Sequence, residues 1–354
     1  MRKLALLLGS LLVVASASAK EVVPAPVVVE EAPVQVIEKA VIVYRDKEEG
    51  FRPNGYVDLQ YRYYGKSEEL GKADGVKSNY GRTQLLGKIN MTEKQALEYR
   101  IRAYNNWNDA NSSDEIGRQD TETRLRYFYD HGLLGDSKVD FTSRVHYLHG
   151  YSNNQEVEYE ARFNFADYMF NNDYVKTTDF TVAPMYRYGW DSNDSAYDNQ
   201  VGVNFYTNTK LPLGFNLELN FYLTQHFYGQ DQLFDRTDKD DKNFTVDMEL
   251  YLTNNVAIYT TENSKVELTF DGGYDPYNWS QKDAFDDTWK KSNDDSKEYL
   301  YAKLGVKYTY NVNSNITTFA HVQGEYANQK YQNENSARDW RWRPLVTVGV
   351  KTTF

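Results

Sequence analysis

Reading back from Phe354 by twos gives Thr352, Val350, Val348, Val346, Pro344 and Trp342. The residues between them are Thr353, Lys351, Gly349, Thr347, Leu345, Arg343 and Arg341. One set is apolar and ends in an aromatic; the other is largely polar and basic. A period of two with two chemically different faces is a β-strand lying between two solvents. The last residue is aromatic, with Val350 and Val348 on its face, and these three are expected to serve as a terminal-strand signal for barrel-assembly machinery.

The pattern recurs along the chain. Val57, Leu59, Tyr61 and Tyr63 alternate with Asp58, Gln60 and Arg62, and Leu97, Tyr99 and Ile101 with Glu98, Arg100 and Arg102. Val139, Phe141, Val145 and Tyr147 alternate with Asp140, Thr142, Arg144 and His146. Phe215, Leu217, Leu219, Phe221 and Leu223 alternate with Asn216, Glu218, Asn220 and Thr224. Similar stretches begin near Arg82, Thr123, Val157, Phe180, Val201, Phe244, Val266, Leu300 and Ile316. The total is about fourteen strands of ~9–12 residues, the length and even parity of an outer-membrane barrel.

Soluble sandwiches also alternate, and three features separate the two. Aromatics sit near the ends of the apolar faces (Tyr61 and Tyr63, Phe163 and Phe165, Tyr186 and Tyr188, Trp342), as interfacial girdles do. The other face carries charge strand after strand, which a dry core does not tolerate unpaired and a water-filled lumen does. The connections alternate short and long. Short ones are Thr92–Gln95, Gly132–Asp136, Lys210–Gly214 and Asn311–Ser314; long polar ones are Gly65–Asn79, Asn105–Asp120, Tyr228–Lys242, Pro276–Ser296 and Asn328–Asp339. Short periplasmic turns and long outer loops match that alternation and put both termini in the periplasm. Asp167–Thr178 and Thr253–Ser264 fall where short turns belong and are too long, so a further hairpin, giving sixteen strands, stays open.

Residues 1–19 stand apart. Met1-Arg2-Lys3 is a positive start, Leu4 to Val14 an apolar stretch, and Ala17-Ser18-Ala19 a small-residue cleavage site, so a signal peptide cut between Ala19 and Lys20 is predicted. No Cys follows, which excludes lipoprotein processing. Residues 20–53 are rich in Val, Pro and Glu. Pro24, Pro26 and Pro33 keep this stretch extended. It reads as a periplasmic tether, or as a segment that folds into the interior or pairs with a neighbouring copy. The barrel then occupies 54–354.

Composition closes off other classes. Mean hydropathy is -0.74, and past the N-terminus no run approaches the ~20 apolar residues of a spanning helix. The absence of Cys excludes disulfide scaffolds, thiolate metal sites and a Cys nucleophile. Without Arg2 and Lys3 the chain keeps 38 basic against 51 acidic residues, near -13, which argues against a nucleic-acid partner. That charge favours mild cation preference, although much of it lies in outer loops. His146 and His149, at i, i+3 on a strand, point to opposite faces and make no metal pair. No Gly-x-Ser-x-Gly, P-loop or His-Glu-x-x-His pattern occurs, so no enzyme and no cofactor is expected.

The inward residues sort by place around the wall. Arg62, Arg82, Arg100, Arg102, Arg124, Arg126, Arg144 and Arg162 come from the first six strands, and Arg341 and Arg343 from the last. Closure sets the last strand beside the first, so these form one basic arc. Glu218, Asp247, Glu249, Glu267 and Asp271 lie roughly across from it. Opposed arcs give a transverse field in a narrow pore. Arg62, Arg100, Arg102, Arg124, Arg126 and Arg341 are expected at the constriction, facing Glu218, Asp247, Glu249 and Glu267. Alternatively, Asp58, Glu98, Asp140, Glu158 and Glu160 pair with the arginines and stiffen the wall. Acidic patches at Asp235, Asp238, Asp240 and Asp241, and at Asp283, Asp286, Asp287, Asp294 and Asp295, read as solvated loop tips. They also suit loose divalent bridging to lipopolysaccharide or recognition of a partner cell.

Val41-Ile42-Val43-Tyr44-Arg45-Asp46 and Arg52-Pro53-Asn54-Gly55 lead into the first strand, and Thr92-Glu93-Lys94-Gln95 makes the first turn. With Phe165-Ala166-Asp167-Tyr168, Gly272-Gly273-Tyr274-Asp275 and Arg341-Trp342-Arg343-Pro344, these segments resemble the FomA-type major outer-membrane porins of fusobacteria. The resemblance spans the mature chain and implies a homotrimeric, voltage-dependent general-diffusion porin that can also act as a surface adhesin. No pore residue is carried over, and the Pro-Glu-Phe-Gly loop motif of enterobacterial porins is absent. The expected role is passive passage of ions and small hydrophilic solutes across the outer membrane; the alternative is an adhesin built on a barrel.

Overall fold

The computed structural model describes residues 50–68, 79–106, 121–150, 154–191, 197–234, 238–282, 296–331 and 338–354. The predicted signal peptide, the Ala19–Lys20 cleavage site and nearly all of the tether lie outside these residues. Residues Arg52–Thr353 form one compact unit.

That unit is all-β. Its strands are β1 (Asn54–Tyr64), β2 (Tyr80–Asn90), β3 (Gln95–Asn106), β4 (Glu122–Leu133), β5 (Asp140–His149), β6 (Asn154–Asn164) and β7 (Lys176–Asp191). The second half comprises β8 (Tyr197–Lys210), β9 (Asn216–Phe234), β10 (Asp238–Thr260), β11 (Ser264–Ser280), β12 (Ser296–Asn311), β13 (Ile316–Tyr331) and β14 (Arg338–Thr353). Each pairs antiparallel with its sequence neighbours. The sheet closes where β1 meets β14, from Tyr56 opposite Thr353 to Tyr64 opposite Leu345. Closure satisfies the backbone groups that an open edge leaves unpaired, the condition for strands in a medium without water.

The two faces of the closed sheet are inverted relative to a soluble protein. On β14, Trp342, Val346 and Val348 point outward, Trp342 51% and Val348 47% exposed, while Arg343, Leu345 and Thr347 point inward and are buried. Tyr186 and Tyr188 of β7, Val201 of β8 and Leu304 and Val306 of β12 continue the exposed apolar exterior. The buried set is mostly polar, including Glu158, Glu160, Asn204, Asn220, Gln323 and Glu325. A contiguous exposed apolar belt is a surface made for an apolar solvent.

Fourteen strands are present among the described residues, which corrects the sixteen-strand alternative. The segment Asp167–Thr178 holds one 3-10 turn (Ala166–Tyr168) and an isolated bridge between Asn171 and Lys176, not a hairpin. The segment Thr253–Ser264 is mostly strand: β10 runs on to Thr260, and the turn to β11 is short, with the Thr261 N–H donating to the Ser264 carbonyl at 2.8 Å. Tyr228–Lys242, expected as a long loop, is also largely β9 and β10, paired out to Phe234 opposite Asp238. Polar residues there read as loop because alternation carries no signal where both faces meet water.

Both ends of the sheet lie beside the tight turns. Asn54 opens β1 opposite Asn90, next to the β2–β3 turn, and β14 finishes opposite Ile316, next to the β12–β13 turn. That last turn is fixed by Asn313, whose Oδ1 accepts from the N–H groups of Asn315 and Ile316 at 2.9 and 2.8 Å.

Candidate functional site

The ten arginines and five carboxylates singled out in the sequence all stand at inward register positions. Only some of them are brought into ion pairs. Taken in circular order, the interior divides into four sectors.

The first runs from β14 through β4 and is basic. Arg62 lies directly opposite Arg82, and Arg100 directly opposite Arg124. Like charges in such positions are destabilising, so the sector needs compensation. Some is present. The Arg62 Nε donates to Thr347 Oγ1 at 2.9 Å. The Tyr64 ring gathers Arg62, Arg82 and Arg343 at 5.9, 5.9 and 5.0 Å. Glu122 takes Arg100 at 2.6 Å and Arg102 at 3.7 Å. Arg124 and Arg126 have no ion pair among the described residues. Arg126 faces Glu98 in register, yet Glu98 lies 3.8 Å from Lys88 instead.

The second sector, β5 to β8, is closed on itself. Arg144 is 2.6 Å from both Glu158 and Glu160; Arg162 bonds Glu160 at 2.7 Å and Arg187 bonds Glu158 at 2.5 Å. Asn204 and Tyr206 each donate to Glu160 at 2.7 Å. Glu158 is 1% exposed and Glu160 0%. The cluster projects inward: Arg144 of β5 reaches the Tyr206 hydroxyl of β8 at 3.3 Å, and Arg162 lies 4.3 Å from that ring's centroid.

The third sector, β9 to β11, is acidic. The Tyr222 hydroxyl donates to Glu249 at 2.9 Å, and Asn220 donates to Glu218 at 2.8 Å. Glu218, Asp247 and Glu249 have no ion pair among the described residues. The fourth sector joins β11 back to β14 through alternating charges: Asp271 to Lys303 at 3.3 Å, Lys303 to Glu325 at 3.8 Å, and Glu325 to Arg343 in a close hydrogen bond. Glu267 pairs with Lys265 at 2.6 Å.

The interior therefore carries two arcs with unpaired charge, of opposite sign, divided by two ion-paired seams. Arg100, Arg102, Arg144, Arg162 and Arg343 stand in pairs, so the basic arc is less free than its composition indicates. Arg187, Glu122, Lys303 and Glu325 belong to these paired groups as well, beyond the residues that stand out in the sequence. Parity alone held the signal for Arg187, which stands between the outward Tyr186 and Tyr188.

Among solved structures the chain is similar to a bacterial polysaccharide outer membrane secretin, with TM-score 0.37, 11% identity, and coverage of 85% of this chain and 98% of that one. It is similar to the NanC porin at TM-score 0.32 and 11% identity, covering 84% and 100%. Likeness to the outer membrane channel DcaP of Acinetobacter baumannii is at TM-score 0.32 and 9% identity, covering 86% and 96%. No protein-family model matches the chain, and no curated protein does. The barrel assignment rests on the strand pairing within this chain.

One glycine supports the fourth sector directly. A Cβ on Gly273 would stand 2.6 Å from the Tyr301 ring, which lies across Gly273 in register. That ring holds the Lys303 ammonium at 3.7 Å and its hydroxyl meets Asp271 at 3.3 Å. Gly273→Val is expected to displace the ring and cost about 1–3 kcal/mol, the usual range for overpacking, read as a lower urea midpoint in detergent micelles.

At the opposite end from the tight turns, Asp240 of β10 forms an ion pair with Lys282. Asp241 is described; Asp235, Asp283, Asp286, Asp287, Asp294 and Asp295 lie outside the described residues, as does the Asp238 side chain.

Proposed function

We propose that the chain is an outer-membrane channel through which ions and small hydrophilic solutes pass down their gradients. The observation that carries this reading is the inverted closed sheet, with apolar residues exposed outside and charged residues lining the inside. The β5–β8 cluster supports a constriction made by wall side chains. It projects from the wall, with Arg144 of β5 reaching the Tyr206 hydroxyl of β8 at 3.3 Å across two intervening strands. At that level solutes meet guanidiniums on one side and carboxylates on the other, and charge sorts them where the path is narrow.

On this reading the tight turns and both chain ends are periplasmic, and the Phe354, Val350 and Val348 face of β14 is the assembly signal. Voltage dependence and a homotrimer are part of the proposal and rest on the resemblance to FomA-type porins. Catalysis has no role in it. Vesicles carrying the purified chain are expected to swell in isosmotic arabinose. Failure to swell in arabinose contradicts the channel reading.

A further inference from the structure

Arg124 and Arg126 are long cations on the interior wall with no ion pair among the described residues. The buried Nε of Arg126 has no hydrogen-bond partner. Arg124 directly faces Arg100, and Arg62 directly faces Arg82. Two strand pairs thus set guanidiniums directly opposite each other although neighbouring strands lie only ~4.8 Å apart. Between the pairs, Arg82 faces Tyr104 and Arg100 faces Leu86, so the four arginines descend the wall in two steps. A wall evolved for stiffness alone would alternate charge, as the β11–β14 sector does with Asp271, Lys303, Glu325 and Arg343. Single mobile chloride ions screen such a wall without needing this register. A ligand bearing several negative groups gains from all the guanidiniums at once, through charge-assisted and bidentate hydrogen bonds.

We propose that Arg124 and Arg126, backed by Arg100, Arg102 and the Arg62–Arg82 pair, form a binding track for multivalent anions such as oligophosphates or polycarboxylates. The inference deepens the channel reading by naming a solute class for the same interior. The acidic arc lies on β9 to β11 and, among the described residues, its carboxylates do not reach Arg124 or Arg126, while Glu122 holds Arg100 and Arg102 at the edge of the track. Arginine suits this role better than lysine because its planar fork matches phosphate and carboxylate oxygens.

The test uses the purified chain in planar bilayers, with sodium tripolyphosphate or sodium acetate added to one side at constant ionic strength. Tripolyphosphate is expected to block the current at about tenfold lower concentration than acetate, the equivalent of one added charge-assisted contact. The Arg124→Gln/Arg126→Gln double variant is expected to lose that advantage, while Glu93→Gln in the exposed β2–β3 turn keeps it. Equal block by the two anions, or an unchanged block in the double variant, overturns the track. A chain that conducts nothing overturns the channel reading alone. Calorimetric titration of the detergent-solubilised protein with tripolyphosphate then decides the track, with binding lost in the double variant as support and no binding to the parent chain as refutation.

Discussion

Replacing Glu158 with alanine is expected to destabilise the barrel by about 3–5 kcal/mol, the range for removing one partner of a buried ion pair. Glu158 meets Arg144 at 2.6 Å and Arg187 at 2.5 Å, and His146 stands 3.6 Å away. Its loss leaves Arg144, itself buried, sharing Glu160 with Arg162 and leaves Arg187 with Glu156 at 3.8 Å. The penalty is the desolvation of those cations more than the energy of any one contact. Glu158→Gln is expected to cost less, because an amide oxygen still accepts one guanidinium. Glu93→Ala, in the exposed β2–β3 turn, is expected to fall within about 0.5 kcal/mol of the parent. Urea midpoints of the folded form in micelles give all three numbers. A Glu158→Ala midpoint equal to that of Glu93→Ala would mean the β5–β8 cluster is solvated and holds nothing together.

The second large effect is on selectivity. Arg62, Arg124 and Arg126 are free of carboxylate partners among the described residues, so their charge acts on the path and not on a neighbour. Changing all three to glutamine is expected to move reversal potentials in a salt gradient toward cation preference. A change of one kT in local potential alters the ratio of anion to cation concentration by about sevenfold, and charged clefts reach several kT. The same change at Arg144 and Arg162 is expected to move selectivity less and stability more, since those two are already paired. Unchanged reversal potentials in the triple variant would show that the narrowest point lies away from β1–β4.

The contrast between these variants marks what was legible in the sequence. Period-two alternation identifies a strand wherever lipid faces one side and charge the other, and β1 to β6 and β14 follow it closely. It fails where both faces meet polar surroundings, as at Lys239, Asp240 and Lys242 in the β9–β10 hairpin, which looks like loop and is paired strand. Parity also places the charged residues on the interior without saying which of them touch. Arg162 and Arg126 have the same kind of residue pattern around them. One bonds Glu160 and the other bonds no carboxylate among the described residues, because long side chains choose partners diagonally across the pleat and through the interior. The Arg144–Tyr206 and Thr269–His321 contacts each skip a strand or more, and no local pattern encodes them.

The account stands on the interior being a wet, continuous path. Its most direct test is single-channel recording of the purified mature chain in planar bilayers across a range of KCl concentrations. Current steps that are ohmic at low voltage and grow in proportion to salt concentration are the expected result. Bilayers that stay silent after verified insertion of the folded barrel, or steps that do not change with salt, would contradict it.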